Sequence, residues 1–212
     1  MSHSEGLLVV LSGPAGSGKS TIADRLLTSG SNIRRAITAT TRKPRPGEQD
    51  GVDYFFLTEE EFKRRISADE LLEYTRFNNN YYGVPRKELE KNIQKGGVVL
   101  LVIEVDGAES IKFFFPNAVF IFIIPPTPDS LRLRLQGRGT ETAQDVENRL
   151  GIAKREMQRI GEYDYLIINA DPEVATLDLA AVIRAVRRSR IVGGEAERWN
   201  DGYFSDWGKG EH

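Results

Sequence analysis

The chain has 212 residues, 40% of them hydrophobic, and a formal charge of −2, enough for a substantial core and at odds with the basic face of a broad nucleic-acid footprint. There is no cysteine, and the two histidines, His3 and His212, stand at the chain ends. Disulfides, thiolate metal sites and cysteine nucleophiles are thereby excluded, and a histidine base or a Ser-His-Asp triad is disfavoured.

A metal must then take oxygen ligands, which suits Mg2+. No apolar run approaches membrane-spanning length, and Met-Ser-His-Ser-Glu-Gly has neither the basic start nor the apolar stretch of a leader, so a cytoplasmic protein with no membrane partner is expected.

In chain order, the first element is an apolar run at residues 7–11 that leads through Ser12 into Gly13-Pro14-Ala15-Gly16-Ser17-Gly18-Lys19-Ser20-Thr21. The spacing of Gly13 from Gly18, Lys19 and Ser20 is that of a phosphate loop. Glycines let backbone N–H groups turn inward around phosphate oxygens, and the helix predicted at 21–27 aims its positive end at them. Lys19 is placed to neutralise the outer phosphates of a nucleoside triphosphate, and the Ser20 hydroxyl to enter a Mg2+ shell. The rival reading, a glycine-rich turn joining strand to helix, is outweighed by that full spacing between a strand and a helix.

Residues 38–96 interrupt the simple alternation of strand and helix. They open with Thr38, then Arg42-Lys43-Pro44-Arg45-Pro46-Gly47, two arginines three apart on a proline-stiffened turn. That arrangement suits either a second phosphate or a solvated basic loop. A β-like run at 53–57, a helix opened by a Thr58/Glu61 capping box and a second β-like run at 71–77 follow, predicting an inserted, partly antiparallel subdomain. Pro85 suits the first turn of a helix reaching about Lys95 and closed by Gly96 and Gly97.

Further short apolar runs at 98–103, 119–124 and 165–168 are too short for helices and do not alternate with polar residues. They read as buried parallel strands separated by helices, an α/β layered domain with ligands at the strands' carboxyl ends. Leu131-Arg132-Leu133-Arg134-Leu135 alternates like a strand, but Thr127 as a cap and Pro128 in the first turn predict a helix. Residues 137–149 are polar and glycine-flanked, with a Thr142/Asp145 capping box at the head of a charged helix, as in a mobile cover. Residues 192–212 combine Gly and charge with Trp199, Tyr203, Phe204 and Trp207, reading as a tail packed on the surface or as a partner-binding segment.

The phosphate loop, the arginine turn with its sequel Asp50-Gly51-Val52-Asp53-Tyr54, Glu73, Asn80-Tyr81-Tyr82-Gly83, Ile103-Glu104-Val105-Asp106-Gly107-Ala108 and Gly137-Arg138-Gly139-Thr140-Glu141 occur in one order. Together they resemble the guanylate kinase family over about residues 7–190. The resemblance implies a P-loop kinase fold, a parallel sheet flanked by helices, with a core of 1–37 and 97–191. It further implies a GMP-binding insertion at 38–96, a lid at about 137–155 and a tail at 192–212. The implied activity is transfer of the γ-phosphoryl group of ATP to GMP, and to dGMP as well, in purine nucleotide metabolism by a monomer or homodimer.

By the same resemblance, Arg42, Arg45, Tyr54 and Tyr82 bind the GMP phosphate, and Thr38, Glu73 and Glu104 complete the GMP site. A carboxylate at Glu73 suits guanine, whose edge offers adjacent N1–H and N2–H donors where adenine offers an acceptor at N1. Without the flanking motifs, Glu73 would read as a surface carboxylate. Residues 13–21 hold ATP together with Arg138 and Asn169. Lys19, Arg42, Arg134 and Arg149 carry the chemistry, and Mg2+ enters with ATP at Ser20. Taken without the resemblance, Arg134, Arg138 and Arg149 read as exposed helix charges, and Arg132 keeps that reading.

Several positions depart from the family pattern. Val84 stands where a Ser or Thr donor to guanine is usual, Val102 where a carboxylate near the metal is common, Glu104 in place of Asp, and Asp106 in place of Gln. Two rival functions remain, a non-catalytic guanylate-kinase-like phosphopeptide-binding module and a related sugar-phosphate kinase. Intact Lys19 and Ser20 argue against the first, and Tyr54, Glu73 and Tyr82 as a set against the second.

Overall fold

The structure is a computed structural model that describes residues 6–29, 32–77, 79–137 and 143–207, with the backbone alone at 77, 143 and 190–207. In chain order the elements are β1 (Leu7–Ser12), α1 (Lys19–Thr28), β2 (Ile33–Arg35), β3 (Thr38–Thr40), β4 (Tyr54–Phe56), α2 (Glu59–Ser67), β5 (Leu71–Phe77), β6 (Asn80–Pro85) and α3 (Arg86–Gln94). Then come β7 (Val98–Val102), α4 (Val105–Phe114), β8 (Val119–Ile124), α5 (Pro128–Gln136), α6 (Ala143–Met157), a 3-10 turn (Ile160–Glu162), β9 (Tyr165–Ile168) and α7 (Pro172–Trp207).

Five strands form a parallel sheet in the order β2-β7-β1-β8-β9. All six residues of β1 are buried, as a strand covered on both faces requires. Leu7, Val9 and Leu11 pack with Ile22, Ala23 and Leu26 of α1 and Ala175, Leu179 and Ile183 of α7. On the other face, Leu8 and Val10 pack with Leu89 of α3 and Ala108 and Ile111 of α4. Because the strands are parallel, Ser12, Glu104 and Asn169 follow the same edge of the sheet, where Ile103 N donates to Leu11 O and Asn169 N to Ile124 O.

The insertion builds a second sheet in the order β4-β3-β6-β5, with β3/β4 parallel and the β3/β6 and β5/β6 pairs antiparallel. Its outer face packs Ala39, Phe55, Leu71 and Tyr81 around fully buried Phe62 of α2. Register places Thr38 opposite Tyr54, Thr40 opposite Tyr82, Thr75 opposite Tyr82 and Glu73 opposite Val84. The period of two puts these side chains on the other face.

Local expectations hold with specific corrections: residues 165–168 form a parallel strand, β9, but at the sheet edge only Ile167 is buried, while Tyr165, Leu166 and Ile168 are exposed. Thr127 caps α5 through a reciprocal box with Ser130, and Pro128 is the first helical residue. The alternating leucines fit that helix because Leu131 and Leu135, four apart, are buried while Leu133 is exposed. Only half of the Thr58/Glu61 box forms: Thr58 Oγ1 accepts from Glu61 N, whereas the Glu61 carboxylate pairs with Arg64 and Arg65. Pro85 is not in the first turn of α3 but is its cap and the last residue of β6. The Tyr81-Tyr82-Gly83 segment is strand rather than turn, because it pairs on both sides. Thr142 and Arg138–Glu141 lie outside the described residues, and α7 continues through residue 192 to Trp207.

Candidate active site

The loop between β1 and α1 is set by glycine. Gly13, Gly16 and Gly18 all have positive φ, and a Cβ at Gly13 would collide with Ile123 O, one at Gly18 with the Asn169 amide. Gly18 caps α1 without a side-chain hydrogen bond, and no acidic residue lies in the first turn. The helix therefore presents its N–H groups and positive end with no resident carboxylate, the arrangement that favours phosphate.

Lys19 is 8% exposed and folds back over the loop. Its Nζ donates to Gly13 O at 2.5 Å and Pro14 O at 3.3 Å, and reaches Glu104 Oε2 at 3.0 Å. Ser20 and Thr21 are exposed on the first turn, while Ser17 is fully buried and its Oγ has no hydrogen-bond partner. Asn169, 1% exposed, braces the loop from β9 by donating Nδ2 to Ser17 O at 2.7 Å. Arg134 joins the same knot, with Nη1 to Ser17 O at 3.3 Å and Nη2 to Asn169 O at 2.8 Å. Arg149 is half-buried on α6, and Arg138 lies outside the described residues. Arg132 pairs with Glu147, tying α5 to α6.

In the insertion, Thr40 Oγ1 accepts from Arg42 N at 3.1 Å and donates to Tyr81 O at 2.9 Å, fixing where Arg42 leaves the sheet. The Arg42 guanidinium lies over the rings of Tyr54, at 5.4 Å, and Phe56, at 5.8 Å. Tyr54 and Tyr82 meet edge to face at 6.4 Å. Arg42, Tyr54 and Tyr82 thus come together, with the Tyr54 hydroxyl pushed up mainly by burial. Arg45 is exposed on the adjoining turn, and Thr38 is half-buried at the head of β3.

Glu73 is 9% exposed, and burial, reinforced by Glu104, pushes its carboxyl up to about 7. It lies against Gly107 at the start of α4: a Cβ there would stand 2.7 Å from Glu73 Oε2. Glu104 therefore connects two places, bonded to Lys19 of the phosphate loop and electrostatically coupled to Glu73 of the insertion.

Sequence reasoning does not single out two contributors. Glu156 of α6 has a buried Oε2 without a hydrogen-bond partner, and burial, with Glu104 adding repulsion, pushes it to about 7. Glu48 accepts two bonds from Arg42, both 2.9 Å. Its place just past the arginine turn was the one available cue. Val84, 1% exposed, packs with Leu8, Val10 and Leu72, so this position serves the core and offers no donor.

Among the described residues, no group of three or more His, Cys, Asp or Glu is placed to hold a metal ion. An exposed hydroxyl beside a phosphate-binding turn fits Mg2+ all the same, since that ion takes few protein ligands and keeps substrate phosphates and waters. Among the described residues, no helix is long and apolar enough to cross a membrane.

Comparison with known proteins agrees with this geometry. Residues 5–186 match the family model described as guanylate kinase. The guanylate kinase of Desulfitobacterium hafniense is 44% identical over 185 residues, 87% of this chain and 92% of that protein. That of Clostridioides difficile is 44% identical over 179 residues, 84% of this chain and 87% of that protein. Among solved structures, the crystal structure of guanylate kinase from Anaplasma phagocytophilum superposes with a TM-score of 0.69 at 38% identity, covering 86% of each chain. With a family match across most of its length, relatives 44% identical over most of both chains and a phosphate loop at the strand ends, the chain belongs to the guanylate kinase family.

Proposed function

We infer that this guanylate kinase family member transfers the γ-phosphoryl group of ATP to GMP, giving ADP and GDP, with dGMP as a further acceptor. The observation that carries the reading is the position of Glu104, salt-bridged to Lys19 and coupled to buried Glu73. That arrangement supports reading a triphosphate loop at Lys19 and a base-reading carboxyl at Glu73 as parts of one site.

In this reading residues 13–21 cradle the ATP phosphates, through the backbone N–H groups of all of them but Pro14, and Lys19 exchanges the Gly13 and Pro14 carbonyls for phosphate oxygens. Arg42, Arg45, Tyr54 and Tyr82 hold the GMP phosphate, Glu73 accepts from guanine N1–H and N2–H, and Thr38 and Glu104 complete the acceptor site. A GMP phosphate oxygen forms the new bond to the γ-phosphorus as the bond to the β,γ-bridging oxygen breaks, and ADP leaves with those electrons. Little covalent work falls to the protein, since alignment and positive charge supply most of the rate. Lys19, Arg42, Arg134, Arg138 and Arg149 provide that charge, and Asn169 supports the adenine side. Mg2+, held through Ser20 and the ATP phosphates, would neutralise the β- and γ-oxygens when bound.

We assign the core to 1–37 and 97–191, the acceptor site to 38–96, the lid to about 137–155 and the C-terminal tail to 192–212, which begins within α7. It takes the protein as a cytoplasmic monomer or homodimer acting on small molecules. The test is a coupled ADP-release assay with ATP and Mg2+ against GMP, dGMP, AMP, UMP and ribose phosphates. Turnover with GMP and dGMP alone is expected, and equal turnover with AMP or with a sugar phosphate contradicts the acceptor assignment.

A further inference from the structure

Glu48 has no place in the acceptor site described above, yet it is the most extensively bonded carboxylate of that loop. Its Oε2 accepts from Arg42 Nη1 and its Oε1 from Arg42 Nη2, both at 2.9 Å. Oε2 also accepts from Arg45 N at 2.7 Å, closing the turn in which Glu48 N donates to Arg45 O and Gly47 takes φ +90°. The pair is largely withdrawn from solvent, the Arg42 side chain 16% and the Glu48 side chain 19% exposed. The Arg42 guanidinium holds the Glu48 carboxyl below the usual carboxylate range, while Glu48 raises Arg42.

A guanidinium has five N–H donors in a fixed plane. In Arg42, Nη1 donates to Glu48 and to Lys43 O, the latter at 2.7 Å, and Nη2 gives one donor to Glu48. The two remaining donors, on Nε and Nη2, lie side by side along one edge. They form a parallel pair of the kind that meets two oxygens of a phosphate. The stack over Tyr54 and Phe56 sets the plane of that edge, and the Tyr82 side chain, hydrogen-bonded to Arg42 here, stands beside it as a second phosphate-binding group.

We propose that Glu48 is a positioning residue for the acceptor phosphate: it occupies the terminal fork of Arg42 so that the Nε–Nη2 edge is the one turned to the nucleotide. This rests on the reading that Arg42 binds the GMP phosphate. It also predicts a sign. A carboxylate that only competed for Arg42 would weaken GMP binding, and its removal would tighten it, whereas a positioning carboxylate strengthens binding through the arginine it orients.

The experiment is calorimetric titration of the full chain and of Glu48→Gln, Glu48→Asp and Arg42→Ala, with GMP and separately with guanosine, which lacks the phosphate. In Glu48→Gln the GMP dissociation constant rises about tenfold, the scale of freeing a long side chain that had been held in one geometry. Guanosine binding stays unchanged, and Glu48→Asp, which keeps the carboxylate, recovers part of the loss. Adding Glu48→Gln to Arg42→Ala costs much less than Glu48→Gln costs alone, because most of its effect runs through Arg42. GMP binding that is unchanged or tighter in Glu48→Gln overturns the proposal, as does an equal loss of guanosine binding, the mark of a general disturbance of the loop. If Arg42→Ala itself leaves GMP affinity untouched, the phosphate reading of Arg42 fails, a result separate from failure at Glu48.

Discussion

Replacing Gly107 by alanine isolates the base-reading carboxyl from everything else in the site. An added Cβ would lie 2.7 Å from Glu73 Oε2 and 2.8 Å from its Cδ, where ordinary contact begins at 3.4 Å. The carboxyl is the far end of a flexible side chain, so it yields by about 0.7 Å while the α4 backbone stays in place. A charge-assisted hydrogen bond of about 2.8 Å stretched by that amount reaches the limit at which it ceases to count. Each such bond contributes about 1.5–3 kcal/mol, so losing one lowers kcat/KM for GMP by about 10- to 150-fold. AMP makes no such bonds and loses little. Alanine is the better helix former by about 1 kcal/mol, so thermal stability holds or rises. Initial rates with GMP and AMP, alongside a melting curve, decide the matter. A Gly107→Ala protein that keeps the wild-type GMP:AMP ratio refutes the placement of Glu73 against α4 as the base reader.

Four further outcomes follow from the geometry. Lys19→Ala removes the cation buried over the loop and lowers kcat by at least about 10²-fold while GMP titration remains measurable; an unchanged rate contradicts the loop assignment. Because burial and Glu104 push Glu73 to about 7, it keeps its proton below that pH and accepts from both guanine donors only above it. KM for GMP then rises about tenfold from pH 8 to pH 6, and Glu73→Gln abolishes that part of the slope, leaving the contribution of the nucleotide phosphate. The folded chain holds this proton more tightly than the unfolded one, so stability falls as pH climbs from about 4.5 to about 7, and Glu73→Gln recovers it above that range. Phe62→Ala, which empties the insertion's core where Phe62 stacks on Tyr81 at 5.3 Å, costs about 3–5 kcal/mol in denaturant unfolding; a loss under about 1 kcal/mol contradicts that packing.

What was legible in the sequence was what is local. The phosphate loop is contiguous, so its residues announce it, and strands covered on both faces show as unbroken apolar runs, β1 among them. The helix at residues 128–136 could be recovered against its strand-like alternation because its cap is encoded in the neighbouring Thr127 and Pro128. β2 and β3, three residues each, are too short to carry a period and exist through their partners β7 and β6. The state of Glu73 was also out of reach. Its raised pKa comes from burial and from Glu104, more than thirty positions away, so the sequence suggested a plain carboxylate where the fold makes a group poised near neutrality. The sequence offers Arg42 as a candidate phosphate ligand but not its orientation, because its terminal fork is taken by Glu48 across a folded turn.

In the proposed reaction, a buried carboxyl of the insertion selects guanine for phosphorylation by a triphosphate held at Lys19. The most direct test is the ratio of kcat/KM for GMP to that for AMP in the wild-type protein and in Glu73→Ala, measured by ADP release at pH 8 where the carboxyl is ionised. A strong wild-type preference for GMP is expected, falling by at least about 10²-fold in the variant, through loss of GMP activity. A variant that discriminates as well as the wild type would contradict it and place base recognition on another residue.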